Sequence, residues 1–298
     1  MERNKATGVK PDGHKVISMS LYGKDPRYTW GVIRNAQLVP VYLPEWTLRV
    51  YVTADPALSQ LAVPPRIINK LRLLGADIAI VPTGNTMAPR NWRLLAAVDQ
   101  QVHYFLVRNA DARLSEREAA AVREWVSATE KNESRAVIHC IRDHPKHGDH
   151  AIVDGLWGGR PRLLFERLNN YFTNVTSRSP ASKIVKILLT EVLWPAVADV
   201  AYCHDSVSPC HLWVPASSRH PFPTARSSQE YLGQKFDEHQ QLVSDDANQL
   251  KSDVVCPVGA TAIPLLLTLP KLRPTPEVVT RPNPLITSLY RINATRAK

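Results

Sequence analysis

The chain has 298 residues, with 37 Lys and Arg against 27 Asp and Glu, a net charge of +10, and 44% hydrophobic and 21% charged residues. That balance excludes a disordered or collagen-like chain, and the length suffices to bury a core without cross-links. The four cysteines, at 140, 203, 210 and 256, are too sparse for a disulfide framework. No apolar run reaches the ~18 residues of a membrane span, and the polar stretch from Met1 to His14 lacks the apolar core of a signal peptide. The expectation is a cytoplasmic protein with no membrane span. Its basic surplus suits a solvated surface or a site for anionic ligands such as nucleotide phosphates. The absence of a compact Lys/Arg block argues against nucleic acid.

In chain order, residues 1–14 read as a flexible N-terminus and Lys15 to Leu21 as a first strand, ending at the turn Tyr22-Gly23. Apolar residues at 32, 36, 39 and 43 mark one face of a helix over Thr29 to Leu43. Thr47 to Val52 alternates as a second strand. Pro64-Pro65 opens a helix that Gly75 caps, and Asp77 to Val81 is a third strand. Asn91 to Val98 reads as a short helix and Tyr104 to Val107 as a fourth strand. Ser115 with Glu118 forms a capping box for a helix to about Thr129, with Val122, Trp125 and Val126 as its buried stripe. Ala136 to Ile141 is a fifth strand. This alternation predicts an α/β domain with a largely parallel sheet over residues 15–255.

The second half is less regular. Gly155 to Gly159 reads as a Gly-rich loop before a helix from Pro161 to Phe172. Lys183 to Val197 is helical in pattern, and Ala201 to Cys203 is a short strand before His204. Residues 256–298 are Pro-rich without periodicity and read as an irregular or disordered tail.

Three loops then fall at one sheet edge, beyond the carboxyl ends of the strands, where open α/β sheets bind ligands. They carry Gly23, Asp111, and Arg142-Asp143-His144. The middle loop, Arg108-Asn-Ala-Asp-Ala-Arg113, has the x-Asp-x-Asp spacing that holds a divalent metal on a diphosphate, with Asn109 in place of the first acid. Asp111 is the best single ligand for Mg²⁺ or Mn²⁺, which prefer carboxylate oxygen, and Asn109 offers a neutral carbonyl beside it. Arg34 and Asn35, on the helix after the first strand, suit a base or ribose. Asp143 offers a carboxylate that suits a general base, with His144 a hydrogen-bonding imidazole beside it. His139, Cys140, Asp143, His144, His147 and His150 cluster along the chain, and Cys203-His204 and Cys210-His211 add donors, but without the tight Cys pairs of structural zinc.

Taken in order, several segments resemble a group of glycosyltransferase-like proteins of the GT-A, nucleotide-diphospho-sugar transferase fold. They are Ser18 to Gly23, Tyr28 to Leu38, Pro44 to Trp46, Trp92 to Leu95, Arg108 to Leu114, Arg142 to Pro145, Gly155 to Gly158, His204 to Ser206 and Phe222 to Thr224. The resemblance covers about residues 15–236. It implies a Rossmann-type mixed, mostly parallel sheet flanked by helices, a nucleotide-sugar donor, and an unknown acceptor (glycan, protein or small molecule). It further implies that Asp111, Asn109 and a late histidine, His204, hold Mn²⁺ or Mg²⁺. Tyr22, Gly23, Arg34, Asn35, Arg108, Arg113, Trp157 and Gly158 would face the donor, and Asp143 and His144 the acceptor. The chain departs from the group at Asn109, where the group has Asp, and at Val185-Lys186, where it tends to carry Asp-Gln. Those departures motivate an alternative: a catalytically lapsed homologue acting as a binding or interaction protein.

Overall fold

The computed structural model describes residues 14–148, 150–168, 188–206, 214–227 and 230–243. The expected tail, residues 1–13, the end of the helix expected up to Phe172, and Val185-Lys186 lie outside them. The elements in order are β1 (His14–Ser20), α1 (Pro26–Tyr42), β2 (Thr47–Thr53), α2 (Pro65–Leu73) and β3 (Asp77–Val81), then a 3₁₀ segment Pro89–Val98. They continue with β4 (Val102–Arg108), α3 (Glu116–Glu130), β5 (Ile138–Arg142), β6 (Leu156–Gly159), α4 (Pro161–Leu168), α5 (Trp194–Val197), β7 (Ala201–Asp205) and β8 (Arg219–His220).

The strands form one eight-stranded sheet in the order β3-β2-β1-β4-β6-β5-β7-β8. All neighbours are parallel except β6, which runs antiparallel to both β4 and β5. The expected mixed, mostly parallel sheet flanked by helices is present. Its central strands read as continuous apolar runs because both faces are covered. Side chains alternate between the faces. Ile17, Met19, Tyr104 and Leu106 pack with Val32, Val122 and Trp125 from α1 and α3. Val16, Phe105 and Val107 pack on the other face with Trp92, Trp157, Leu164 and Trp194.

Helix α1 begins three residues earlier than its apolar periodicity predicts. Asp25 caps it by accepting from the Arg27 N–H at 2.9 Å, and Pro26 supplies the first helical φ. Helix α3 starts after Ser115 as expected, with the Ser115 hydroxyl accepting from the Glu118 N–H. The reciprocal half of the capping box is replaced: the Glu118 carboxylate bonds the buried Arg108 guanidinium instead. An uncompensated Arg108 inside the sheet would cost far more than an orphan N–H at a helix start.

The Gly155–Gly159 stretch corrects the sequence reading. It is not a loop throughout, because Leu156–Gly159 is strand β6, buried along its length between β4 and β5. Glycine there answers close approach rather than a turn. A Cβ on Gly158 would lie 2.4 Å from the Phe105 carbonyl oxygen. Four residues with two glycines give no β-propensity signal, so sequence pattern alone reads them as loop.

Candidate functional site

A cleft of about 430 Å³ opens at the carboxyl ends of β1 and β4. These adjacent strands are where the sheet order reverses, the switch point at which open α/β sheets leave a crevice. The β1 side is built by two serines. Ser18 Oγ donates to the Arg93 carbonyl at 2.7 Å, while Ser20 Oγ accepts from the Arg93 N–H at 2.9 Å and donates to the Arg90 carbonyl at 3.1 Å. These bonds fasten the 3₁₀ segment across the strand end. Positions i and i+3 eclipse in a 3₁₀ helix, so Arg90 and Arg93 share one side. Both line the cleft and both hold Asp154, at 3.2 and 2.8 Å.

The β4 side is the 109–114 loop, held from behind by Asn35. Its amide donates to the Ala112 carbonyl at 2.8 Å and accepts from the Leu114 N–H at 3.1 Å. Gly31 lets α1 lie against the loop, since a Cβ there would sit 2.1 Å from the Ala110 oxygen. Asn109 and Asp111 both reach the cleft. The Asn109 side-chain oxygen accepts from the Arg93 guanidinium. Asp111 Oδ2 pairs with Arg27 at 2.5 Å, with the two side chains 8% and 25% exposed. The Phe236 N–H donates to the Asp111 carbonyl at 2.9 Å, so the 230–243 segment straps the loop and brings Lys235 to the cleft. Tyr22 and Tyr28 supply aromatic walls. Burial, and next the Asp111 carboxylate, raise the Tyr28 hydroxyl above its ordinary value, so it is a protonated donor at neutral pH.

His147 also lines the cleft. Burial, and then His144, His150 and neighbouring arginines, lower it to about 3. Its Nδ1 accepts from the Asp143 N–H at 3.1 Å. A neutral imidazole with Nδ1 engaged carries its proton on Nε2, so His147 is a hydrogen-bond donor and not a base.

Of the residues singled out from sequence, the structure brings Tyr22, Asn109 and Asp111 together in the cleft, with Gly23 in the adjoining turn at φ +71°. The others lie elsewhere. Arg34 is exposed and bonds Gln37. Asn35 is a buried brace of the loop. Arg108 is buried against Glu118 and donates to the Val107 and Trp157 carbonyls, at 2.8 Å each. Arg113 bonds Gln240 and lies over the Phe236 ring. Trp157 is a core side chain against Phe105, and Gly158 is its strand neighbour.

Asp143 is wholly buried and accepts from Arg117 at 3.0 Å, Arg226 at 2.9 Å, Ser206 at 2.7 Å and the Leu232 N–H at 2.9 Å. It ties the 222–232 segment to the end of β5. His144 is buried, stacks near Tyr231, and accepts from the Lys146 N–H through Nδ1. His204 lies on β7, three strands from β4 in the sheet order, or about 14 Å at ordinary strand spacing. It bonds His139 at 2.8 Å, and His139 in turn stacks on Trp125. Among the described residues no three His, Cys, Asp or Glu side chains converge as a metal site.

The residues that sequence reasoning missed are Arg27, Arg90, Arg93, Asp154 and Lys235, while His147 was noted only as part of a histidine cluster. The Arg90/Arg93 spacing is itself a signal once the segment is read as 3₁₀. Arg27 and Lys235 reach the site through tertiary contacts that no local pattern announces.

The fold and cleft define an α/β protein with a crevice at a topological switch point. No protein-family model matches the chain, and no curated protein matches it. Among solved structures, it is similar to S. aureus TarS residues 1–349, with a TM-score of 0.38 and 12% identity over 64% of this chain. The chain spans 57% of that protein's solved length. At that score the likeness assigns no activity to the cleft. No helix among the described residues is long and apolar enough to cross a membrane.

Proposed function

We propose that the protein binds a nucleotide-sugar donor in the β1/β4 cleft and transfers the sugar to an acceptor. The observation that carries the reading is the cleft's position and charge: a switch-point crevice lined by Arg90, Arg93 and Lys235, with Tyr22 and Tyr28 as walls. Guanidinium groups recognise phosphate oxygens through paired N–H donors. Aromatic faces pack against sugar or base. A breaking glycosyl–phosphate bond loads negative charge onto the diphosphate, and fixed cations stabilise that charge. The resemblance of the segments in residues 15–236 to GT-A glycosyltransferases supports the same ligand class.

The divalent ion expected on Asp111 and Asn109 would have to compete with an arginine for each of them. Its carboxylate ligand is bonded to Arg27 and its amide ligand to Arg93. His204 is too far along the sheet to complete the shell.

A second reading, binding without transfer, is favoured by one observation. Each acid lining the cleft is engaged by arginine, and His147 is a donor. Calorimetric titration with a panel of sugar nucleotides, followed by assay for hydrolysis and transfer, separates the readings. Saturable binding with turnover supports transfer, binding without turnover supports the second, and no binding to folded protein removes both.

A further inference from the structure

We infer that the cleft takes the diphosphate of its ligand without a divalent ion, with Arg27, Arg93 and Lys235 supplying the charge a metal would supply. The inference rests on the nucleotide-diphosphate reading above and deepens it.

Charge matching is the first argument. The cleft gathers Arg90, Arg93 and Lys235, plus Arg27 bonded to Asp111, against the two acids Asp111 and Asp154. Four cations less two anions leave two positive charges, while His147 stays neutral. A diphosphate group bearing two or more negative charges is matched by that surplus.

Donor capacity is the second. The Nε atoms of Arg27 and Arg93 are buried and have no hydrogen-bond partner among the described residues. Buried guanidinium donors are ordinarily satisfied, and Arg93, which lines the cleft itself, has one left over for an oxyanion. Each arginine is already oriented by an oxygen of the 109–111 loop, which lowers the entropy cost of receiving a phosphate.

Residue 109 suits the same positive surplus. A carboxylate there would neutralise Arg93, whereas the Asn109 amide oxygen orients the same guanidinium and leaves its charge intact. Asn109 is therefore the residue that suits a cationic site, not a defective metal ligand. Arg27 competes for the remaining ligand, since a metal on Asp111 would share that carboxylate with a charge-assisted bond to Oδ2 at 2.5 Å.

The test is titration of the full chain with inorganic pyrophosphate and with UDP, GDP, ADP and CDP, each in excess EDTA and in excess Mn²⁺. Pyrophosphate probes the diphosphate site without regard to base. The inference expects affinity for the preferred probe to agree within about threefold between the two conditions, as charge supplied by protein rather than metal requires. Arg27→Gln, at a partly exposed position, should keep the fold by circular dichroism and lose about tenfold in EDTA, the scale of one charged hydrogen bond. It should regain affinity in Mn²⁺, because Asp111 is released. Asn109→Asp should shift the same way. Native binding seen in Mn²⁺ and abolished by EDTA would overturn the inference while leaving the donor reading standing. No binding of any probe in either condition would overturn both.

Discussion

Arg27 and Asp111, 84 residues apart in the chain, meet at 2.5 Å and join the first turn of α1 to the loop after β4. The pair engages, through Oδ2, the one carboxylate that the loop's spacing offers to a metal. It also places the Arg27 guanidinium beside the cleft. Asp111→Ala should accordingly leave pyrophosphate or nucleotide affinity in EDTA within about threefold of native, the released charge of Arg27 offsetting its lost orientation. The loss of a half-buried pair should lower stability by about 1–3 kcal/mol, between the values for exposed and buried pairs. Titration beside denaturant unfolding checks both parts.

Asp143 is a fastener in this structure. It is fully buried, and two arginines, a serine and a backbone N–H converge on it. Asp143→Ala should lower stability by about 3–5 kcal/mol, the cost of leaving buried charges uncompensated. Urea unfolding gives the number. An unchanged midpoint with lost turnover would instead return Asp143 to the role of acceptor-site base.

Stability should fall on mild acidification. His139 and His204 are buried and bonded to each other, and desolvation first, then neighbouring positive charge at His139, holds both below the ordinary value. The unfolded chain takes up protons near pH 6.5 while the folded chain does not. The stability these groups contribute is therefore present above that pH and lost as pH falls below it. The slope for each group approaches about 1.4 kcal/mol per pH unit. Urea midpoints from pH 7.5 to 5 should show the decline, and His139→Gln should reduce its steepness even if it lowers the midpoint throughout.

Gly31→Ala should disturb the site from behind. Its Cβ would meet the Ala110 carbonyl, a backbone atom that cannot rotate away. The expected cost is about 1–3 kcal/mol. Nucleotide affinity should drop as well, because the 109–111 oxygens that orient Arg27 and Arg93 must shift. Retained affinity in a destabilised protein would show that the loop position does not matter to binding.

Much of the sheet was legible. β1 to β5 carry apolar runs of ordinary length, and Ser115 and Gly75 mark helix boundaries by their own backbone chemistry, whereas the cap at Asp25 was not read. Strand β6 was not legible, because its glycines serve packing that only the neighbouring strands reveal. The site was legible as a place more than as a set of residues. The turn after β1 and the loop after β4 do meet there, with Tyr22, Asn109 and Asp111. Polar residues at the other strand ends, Asp143, His144 and His204, look the same in sequence whether they face a ligand or knot the fold. Burial and partner count separate those roles, and both arise from contacts distant in the chain, such as Arg226 with Asp143 and Arg27 with Asp111.

The most direct measurement is a crystal structure of the protein with a nucleoside diphosphate bound. The account predicts the diphosphate at the carboxyl ends of β1 and β4, within hydrogen-bond distance of Arg93 and near Tyr22. A nucleotide seated elsewhere, for instance between α1 and α2 against Lys24, Arg66 and Lys70, would contradict it.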